Sequence, residues 1–179
     1  GEFRAAFDGI DAVWHRVVSR AQLDLRLRAW AEHLAELSPL REGRADDEVD
    51  ALAALDALGS RQLLCALREG GYGAVHANAV IEAALRLPWN QAAHASWYPG
   101  RAVMVTRNDH ATKLFNGDVG ICLADAEGGL RVWFDAAGDT NDGERRARSF
   151  APAALPAHES AFAITVHKSQ GSEYAHVAL

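Results

Sequence analysis

The sequence predicts an α/β protein: a mostly helical first part, then a run of short strands, then a last strand that opens into a polar loop. Three observations predict this. Apolar residues recur at steps of three and four up to about residue 87, short apolar runs separated by turn residues follow from about residue 102, and Phe162–Val166 is an apolar strand leading into eight polar or small residues between Thr165 and Glu173.

Taken in order, Gly1-Glu2-Phe3 reads as a cloning remnant and is set aside. Ile10, Val13, Trp14, Val17 and Ala21 share one helical face, and Leu23, Leu27, Trp30, Leu34 and Leu37 continue the period until Pro39, whose ring is expected to end the region. A second helix is expected over Asp47–Leu58. Asp46 or Asp47 caps it, and Val49, Leu52, Leu55 and Leu58 form its apolar face. Gln62–Leu67 reads as a buried strand, with helix the alternative at that length, Gly70-Gly71-Tyr72-Gly73 as a turn, and Val75–Leu87 as a helix stopped by Pro88.

After Trp97-Tyr98-Pro99-Gly100 the pattern is β. Strands are expected over Ala102–Thr106, Val119–Ala124 and Leu130–Phe134, separated by Asn116-Gly117-Asp118 and Glu127-Gly128-Gly129, which is hairpin spacing suited to a small barrel or meander. Gly138–Ser149, with Arg145, Arg146 and Arg148, reads as an exposed loop or hairpin tip, either contacting phosphate or, the favoured reading, solvated and balanced by Asp139, Asp142 and Glu144. His176–Leu179 begins a strand that stops inside an apolar run, so the chain is expected to be truncated there.

Composition narrows the function classes. Of the 179 residues 49% are hydrophobic and 23% charged, values of a globular protein. No apolar run approaches the roughly 20 residues that span a bilayer, so no membrane partner and a cytoplasmic location are expected. Cys65 and Cys122 read as buried thiols rather than a disulfide. The net charge of −6 divides as 10 basic against 14 acidic residues in 1–95 and 8 against 10 in 96–179, so any nucleic-acid contact must come from a local patch.

The densest candidate site follows Ile164. Thr165, Ser169 and Gln170 can bond phosphate or sugar oxygens, Lys168 adds charge, and Gly171 permits close approach or a positive φ. An ordinary solvated loop is the alternative. Lys168-Ser169 is not a Walker A loop, because Phe162 stands where that pattern needs glycine. Arg107, Asn108 and Asp109 with Lys113, Phe115 and Asn116 form either a small DNA-facing edge or a hairpin held by Asn and Asp turn chemistry. Gly70-x-Tyr72-Gly73 before a helix is a weak phosphate-turn candidate, and a plain turn is the favoured reading. His158, His167 and His176 stand nine apart, a spacing that suits no compact metal site, and no metal is expected.

Ala163-Ile164-Thr165 through Tyr174 resembles motif V of superfamily 1 DNA helicases in the RecD-like branch, which includes the alpha subunit of exodeoxyribonuclease V. Tyr98–Asp109 with Leu114–Ile121, and Leu63–Gly70 with Asn78 downstream, resemble two upstream segments of that branch, in the same order. The resemblance covers residues 61–179. It implies that residues 1–95 form a mostly helical part of a RecA-like motor domain called 2A, that 96–158 form an inserted SH3-like β-barrel called 2B, and that 159–179 return to 2A with the motif V strand and loop.

By position, Thr165, His167, Lys168 and Ser169 would lie near single-stranded DNA, together with Arg107, Asn108 and Asn116 of the insertion. Gln170, Gly171 and Glu173 would face the nucleotide. The parent protein would be an ATP-dependent helicase using ATP and Mg²⁺ in double-strand break repair, with other exonuclease V subunits as partners. The alternative is a non-motor module that docks a partner subunit or binds DNA. No complete catalytic set is present: there is no Walker A or Walker B pattern, motif VI would lie beyond Leu179, and Arg4 before Gly9-Ile10 misses the spacing of the motif IV arginine. The chain alone is expected to bind no ATP tightly and to be inactive.

Overall fold

The computed structural model describes residues 17–92, 94–136 and 144–179. Ile10, Val13, Trp14, Arg4, Asp139 and Asp142 lie outside these residues.

Helix α1 (Arg20–Ala35) starts at Ser19, whose side chain accepts from the Gln22 amide, and buries Leu27, Ala31 and Leu34. Leu23, Trp30 and Leu37 pack against the same core, so the stripe expected from Leu23 to Leu37 is the buried one, whereas Val17 and Ala21 of the face expected before it are exposed. Pro39 does not end this helix. It sits in the first turn of a short helix α2 (Ser38–Glu42), where a missing N–H costs nothing. Helix α3 (Glu48–Gly59) is capped by Asp47, which accepts from the Val49 and Asp50 amides. Its buried face is Ala51, Ala54, Leu55 and Leu58, rotated from the expected one, and Val49 is exposed. The reason is packing: α3 lies against strands of both sheets, where alanines allow close approach.

Two sheets are built on these helices. Strand β1 (Arg61–Cys65), followed by helix α4 (Ala74–Arg86), is the centre of a three-stranded parallel sheet. Its neighbours are β7 (Ala163–Thr165) and β8 (His176–Ala178), with Cys65 opposite Thr165 and Gln62 opposite Val177. Between α4 and β7 the chain makes a five-stranded antiparallel sheet from β2 (Ala102–Val105), β3 (Val119–Ala124), β4 (Leu130–Asp135), β5 (Ala147–Phe150) and β6 (His158–Ser160). The order is β5-β4-β3-β2-β6. Among the described residues this sheet is open, with β5 and β6 at its edges, and the closed ring of a barrel is not formed.

Alternation along the strands gives the antiparallel sheet two dry faces. Ala102, Met104, Ile121 and Leu123 join the main core with the helices, whereas Val103, Val105, Leu114, Cys122, Val132 and Phe134 form a second, smaller core. Gly43 and Ala45 extend the main face by pairing with Ala124. The sequence reading missed β5 and β6. Arg148 is therefore a strand residue, donating to the Thr112 and Lys113 carbonyls, and Arg145 is held by Asp135 and Asp56 at 2.6 Å each. Arg145 and Arg148 are thus tied into the fold, while Arg146 pairs with Glu144 two residues away. Cys65 is half-buried and Cys122 buried, and both are free thiols.

Candidate nucleic-acid interface

The site forms where the parallel sheet ends. The segments after β1 and after β7 leave from the same edge, because Cys65 and Thr165 are register partners. Ligands of open parallel sheets bind at such carboxyl ends.

After Thr165 the chain turns through a short 3-10 segment, Val166–Ser169, closed by Ser169 Oγ donating to the Val166 carbonyl at 2.9 Å. Gly171 follows with φ +85°, and nothing lies within 4 Å of where its Cβ would stand. Glycine is needed here for conformation, not for space. Thr165, Lys168 and Ser169 are half-buried; His167, Gln170, Gly171 and Glu173 are exposed.

The antiparallel sheet supplies the second wall. The connection between β2 and β3 is folded on itself by Asp109 and Leu114, which exchange backbone hydrogen bonds of 2.7 and 3.1 Å, and by the Asn116 amide donating to Asn108 Oδ1 at 2.8 Å. Lys168 Nζ donates to Asn116 Oδ1. Three residues singled out from two distant stretches, Lys168, Asn116 and Asn108, are therefore one hydrogen-bonded chain. Arg107, His167, Gln170 and Glu173 are exposed and make no side-chain hydrogen bond with another described residue.

What holds the two walls in register is Asn78 on α4. Its Nδ2 donates to the Ser160 carbonyl at 3.0 Å and to the Ala163 carbonyl at 2.7 Å, and its Oδ1 accepts from the Ala163 amide at 2.8 Å. Ser160 ends the antiparallel sheet and Ala163 begins the strand of the parallel one. Arg68, after β1, adds an ion pair to Glu159 on β6 at 2.9 Å, which raises the guanidinium pKa further. The sequence reading used Asn78 only as a family marker. Its signal was available: a lone polar residue among Ala74, Ala77, Ile81 and Leu85 on a buried helix face.

The glycine turn before α4 is a plain turn. The Ala74 amide donates to the Leu67 carbonyl at 2.9 Å and the Val75 amide to the Arg68 carbonyl at 3.0 Å, so these first-turn donors are not offered to a phosphate. A Cβ on Gly73 would stand 2.6 Å from the Arg68 carbonyl oxygen, which fixes glycine there. Among the described residues no three His, Cys, Asp or Glu side chains are grouped as metal ligands, and no helix is long and apolar enough to cross a membrane.

No family model matches the chain. Curated relatives do. The chain is 40% identical over 123 residues to the RecBCD enzyme subunit RecD of Haemophilus influenzae, covering 67% of this chain and 17% of that protein. It is 38% identical over 127 residues to the RecD subunit of Mycolicibacterium smegmatis, covering 71% of this chain and 20% of that protein. It is 29% identical over 151 residues to the ATP-dependent RecD2 DNA helicase of Deinococcus radiodurans, covering 82% of this chain and 20% of that protein. The chain thus spans about a fifth of the length of the curated relatives it matches. With the two ordered upstream stretches and the loop after β7 placed on one edge of a parallel sheet, these similarities identify the chain as a member of the RecD-like family of DNA helicases.

Proposed function

We propose that this chain is one wall of an ATP-driven motor that moves along single-stranded DNA in recombination and double-strand break repair. The observation that carries the reading is the Lys168–Asn116–Asn108 chain, which places a cation and two amides from separate sheets at one exposed edge. Lys168 neutralises a phosphate, while Thr165 and His167 bond backbone oxygens beside it and Ser169 joins them by exchanging its bond to the Val166 carbonyl. Arg107, Asn108 and Asn116 extend that contact from the antiparallel unit, which we assign to the SH3-like insertion 2B; the parallel sheet belongs to motor domain 2A.

Gln170, Gly171 and Glu173, a few residues further along the same loop, face the nucleotide. A loop shared by both ligands lets the state of one change the grip on the other. ATP and Mg²⁺ are not held by this chain alone. Phosphoryl transfer needs a phosphate cradle and Mg²⁺ ligands together, and the sequence carries neither a Walker A nor a Walker B pattern. The phosphate cradle and metal site belong elsewhere in the whole motor, which works in the cytoplasm with the other subunits of an exonuclease V assembly.

The test is made in a whole RecD-type protein carrying this segment. Lys168→Ala raises the DNA concentration for half-maximal ATPase stimulation, Glu173→Gln raises the KM for ATP, and the 179-residue chain alone shows no turnover. DNA-stimulated hydrolysis indifferent to both substitutions, or turnover by the chain alone that Glu173→Gln abolishes, contradicts the reading.

A further inference from the structure

We infer that Phe115 is a base-stacking platform, so that the interface grips single strands through a nucleobase as well as through phosphates. The inference rests on the nucleic-acid reading above and names the part of the ligand that Phe115 takes. Phe115 is 43% exposed, although its neighbour Leu114 is fully buried in the second core. A single exposed apolar side chain is ordinary on a surface. Its setting here is not.

The backbone that carries it is fixed from both sides. The Phe115 amide donates to Asp118 Oδ2 at 2.8 Å, the Asp118 amide to the Phe115 carbonyl at 3.0 Å, and the Gly117 amide to the Val105 carbonyl at 2.9 Å. Arg148 on β5 reaches the carbonyls of Thr112 and Lys113 from beneath. The His110 ring meets Phe115 edge-on with centroids 5.9 Å apart, which supports the ring and leaves it partly exposed. An aromatic surface held this firmly loses little freedom when a ring stacks on it.

Charge chooses the kind of ring. The chain has two lysines in 179 residues, Lys113 and Lys168. Lys113 lies two residues before Phe115, and Lys168 is hydrogen-bonded to the next residue, Asn116. An apolar ring beside both lysines of a chain with net charge −6 fits a ligand that alternates anionic groups with flat π-surfaces. A single-stranded nucleic acid is such a ligand, and a duplex, whose bases are already stacked, is not.

The experiment compares binding of the 179-residue chain to oligo-dT and to an abasic oligomer of the same length, at low salt, with circular dichroism to establish that each variant is folded. Phe115→Ala is expected to weaken oligo-dT binding on the order of 10-fold and leave abasic binding unchanged; Phe115→Trp retains oligo-dT affinity, and Phe115→Leu behaves as the alanine variant. Lys168→Ala weakens both ligands. Equal losses of Phe115→Ala on both ligands, or full oligo-dT affinity in Phe115→Ala while Lys168→Ala is impaired, overturns the stacking role and leaves the phosphate reading standing. Wild-type chain that binds neither oligomer overturns both.

Discussion

Lys168 and Asn116, 52 positions apart, are joined by a hydrogen bond that crosses from the turn after β7 to the connection between β2 and β3. The bond spans two sheets and makes one surface of residues that neither sheet could supply alone. Replacing Lys168 by alanine removes one phosphate contact. The salt slope of single-strand binding should then fall by roughly 0.7, the share of one phosphate on a single strand. An unchanged slope places Lys168 away from the ligand.

Asn78 supplies a separate, structural prediction. It satisfies three backbone groups at the passage from β6 to β7 and is itself 7% exposed. Asn78→Ala leaves buried donors and acceptors unpaired and should cost about 2–4 kcal/mol of stability, read from urea unfolding. A loss below the range of an ordinary surface substitution, about 0.5 kcal/mol, contradicts the clamp.

Gly73 answers for the turn ahead of α4. Any side chain there meets the carbonyl oxygen of Glu69 and that of Arg68, which accepts from the Val75 amide, and backbone cannot move aside as a side-chain tip can. Gly73→Ala should destabilise by roughly 1–3 kcal/mol, the usual cost of overpacking. Gly59→Ala, where nothing lies within 4 Å of the added carbon, is the control and should be neutral or mildly stabilising.

Two buried acids, Tyr98 in the main core and Cys122 in the second, predict an alkaline limit. Burial pushes the Cys122 thiol up from 9.0 to about 12, and burial with the nearby Glu82 carboxylate pushes the Tyr98 phenol above its ordinary value. Both groups bind protons more tightly folded than unfolded, so their contribution is complete below pH 9 and is lost as pH rises toward 12. Urea midpoints should fall between about pH 9 and 11, and Cys122→Ala should make that fall shallower. A parallel fall in wild type and variant removes Cys122 from the account.

Much of this fold was legible in the sequence, for local reasons. The Asp47 cap, the Leu27–Leu34 stripe, and the glycine turns at Asn116-Gly117 and Glu127-Gly128 act within a few residues. What could not be read depends on distant partners. Strand β6 is three residues long and exists because β2 offers an edge; β5 exists because β4 does. The face of α3 was misjudged because strands of both sheets and helix α2 receive it together, partners that the local period does not reveal. For the site, motif V marked the loop, yet nothing in either stretch alone says that Asn116 meets Lys168. That pairing follows from β7 lying beside β1 and β6 beside β2, with Asn78 holding β6 and β7 together.

The most direct measurement is a fluorescence anisotropy titration of labelled oligo-dT with the 179-residue chain between roughly 50 and 200 mM salt. The account predicts weak binding, micromolar or looser, with a shallow salt slope that shrinks further in Lys168→Ala. Absence of binding at the lowest salt, or binding that Lys168→Ala leaves untouched, contradicts the claim that this edge of the parallel sheet is where single-stranded DNA is held.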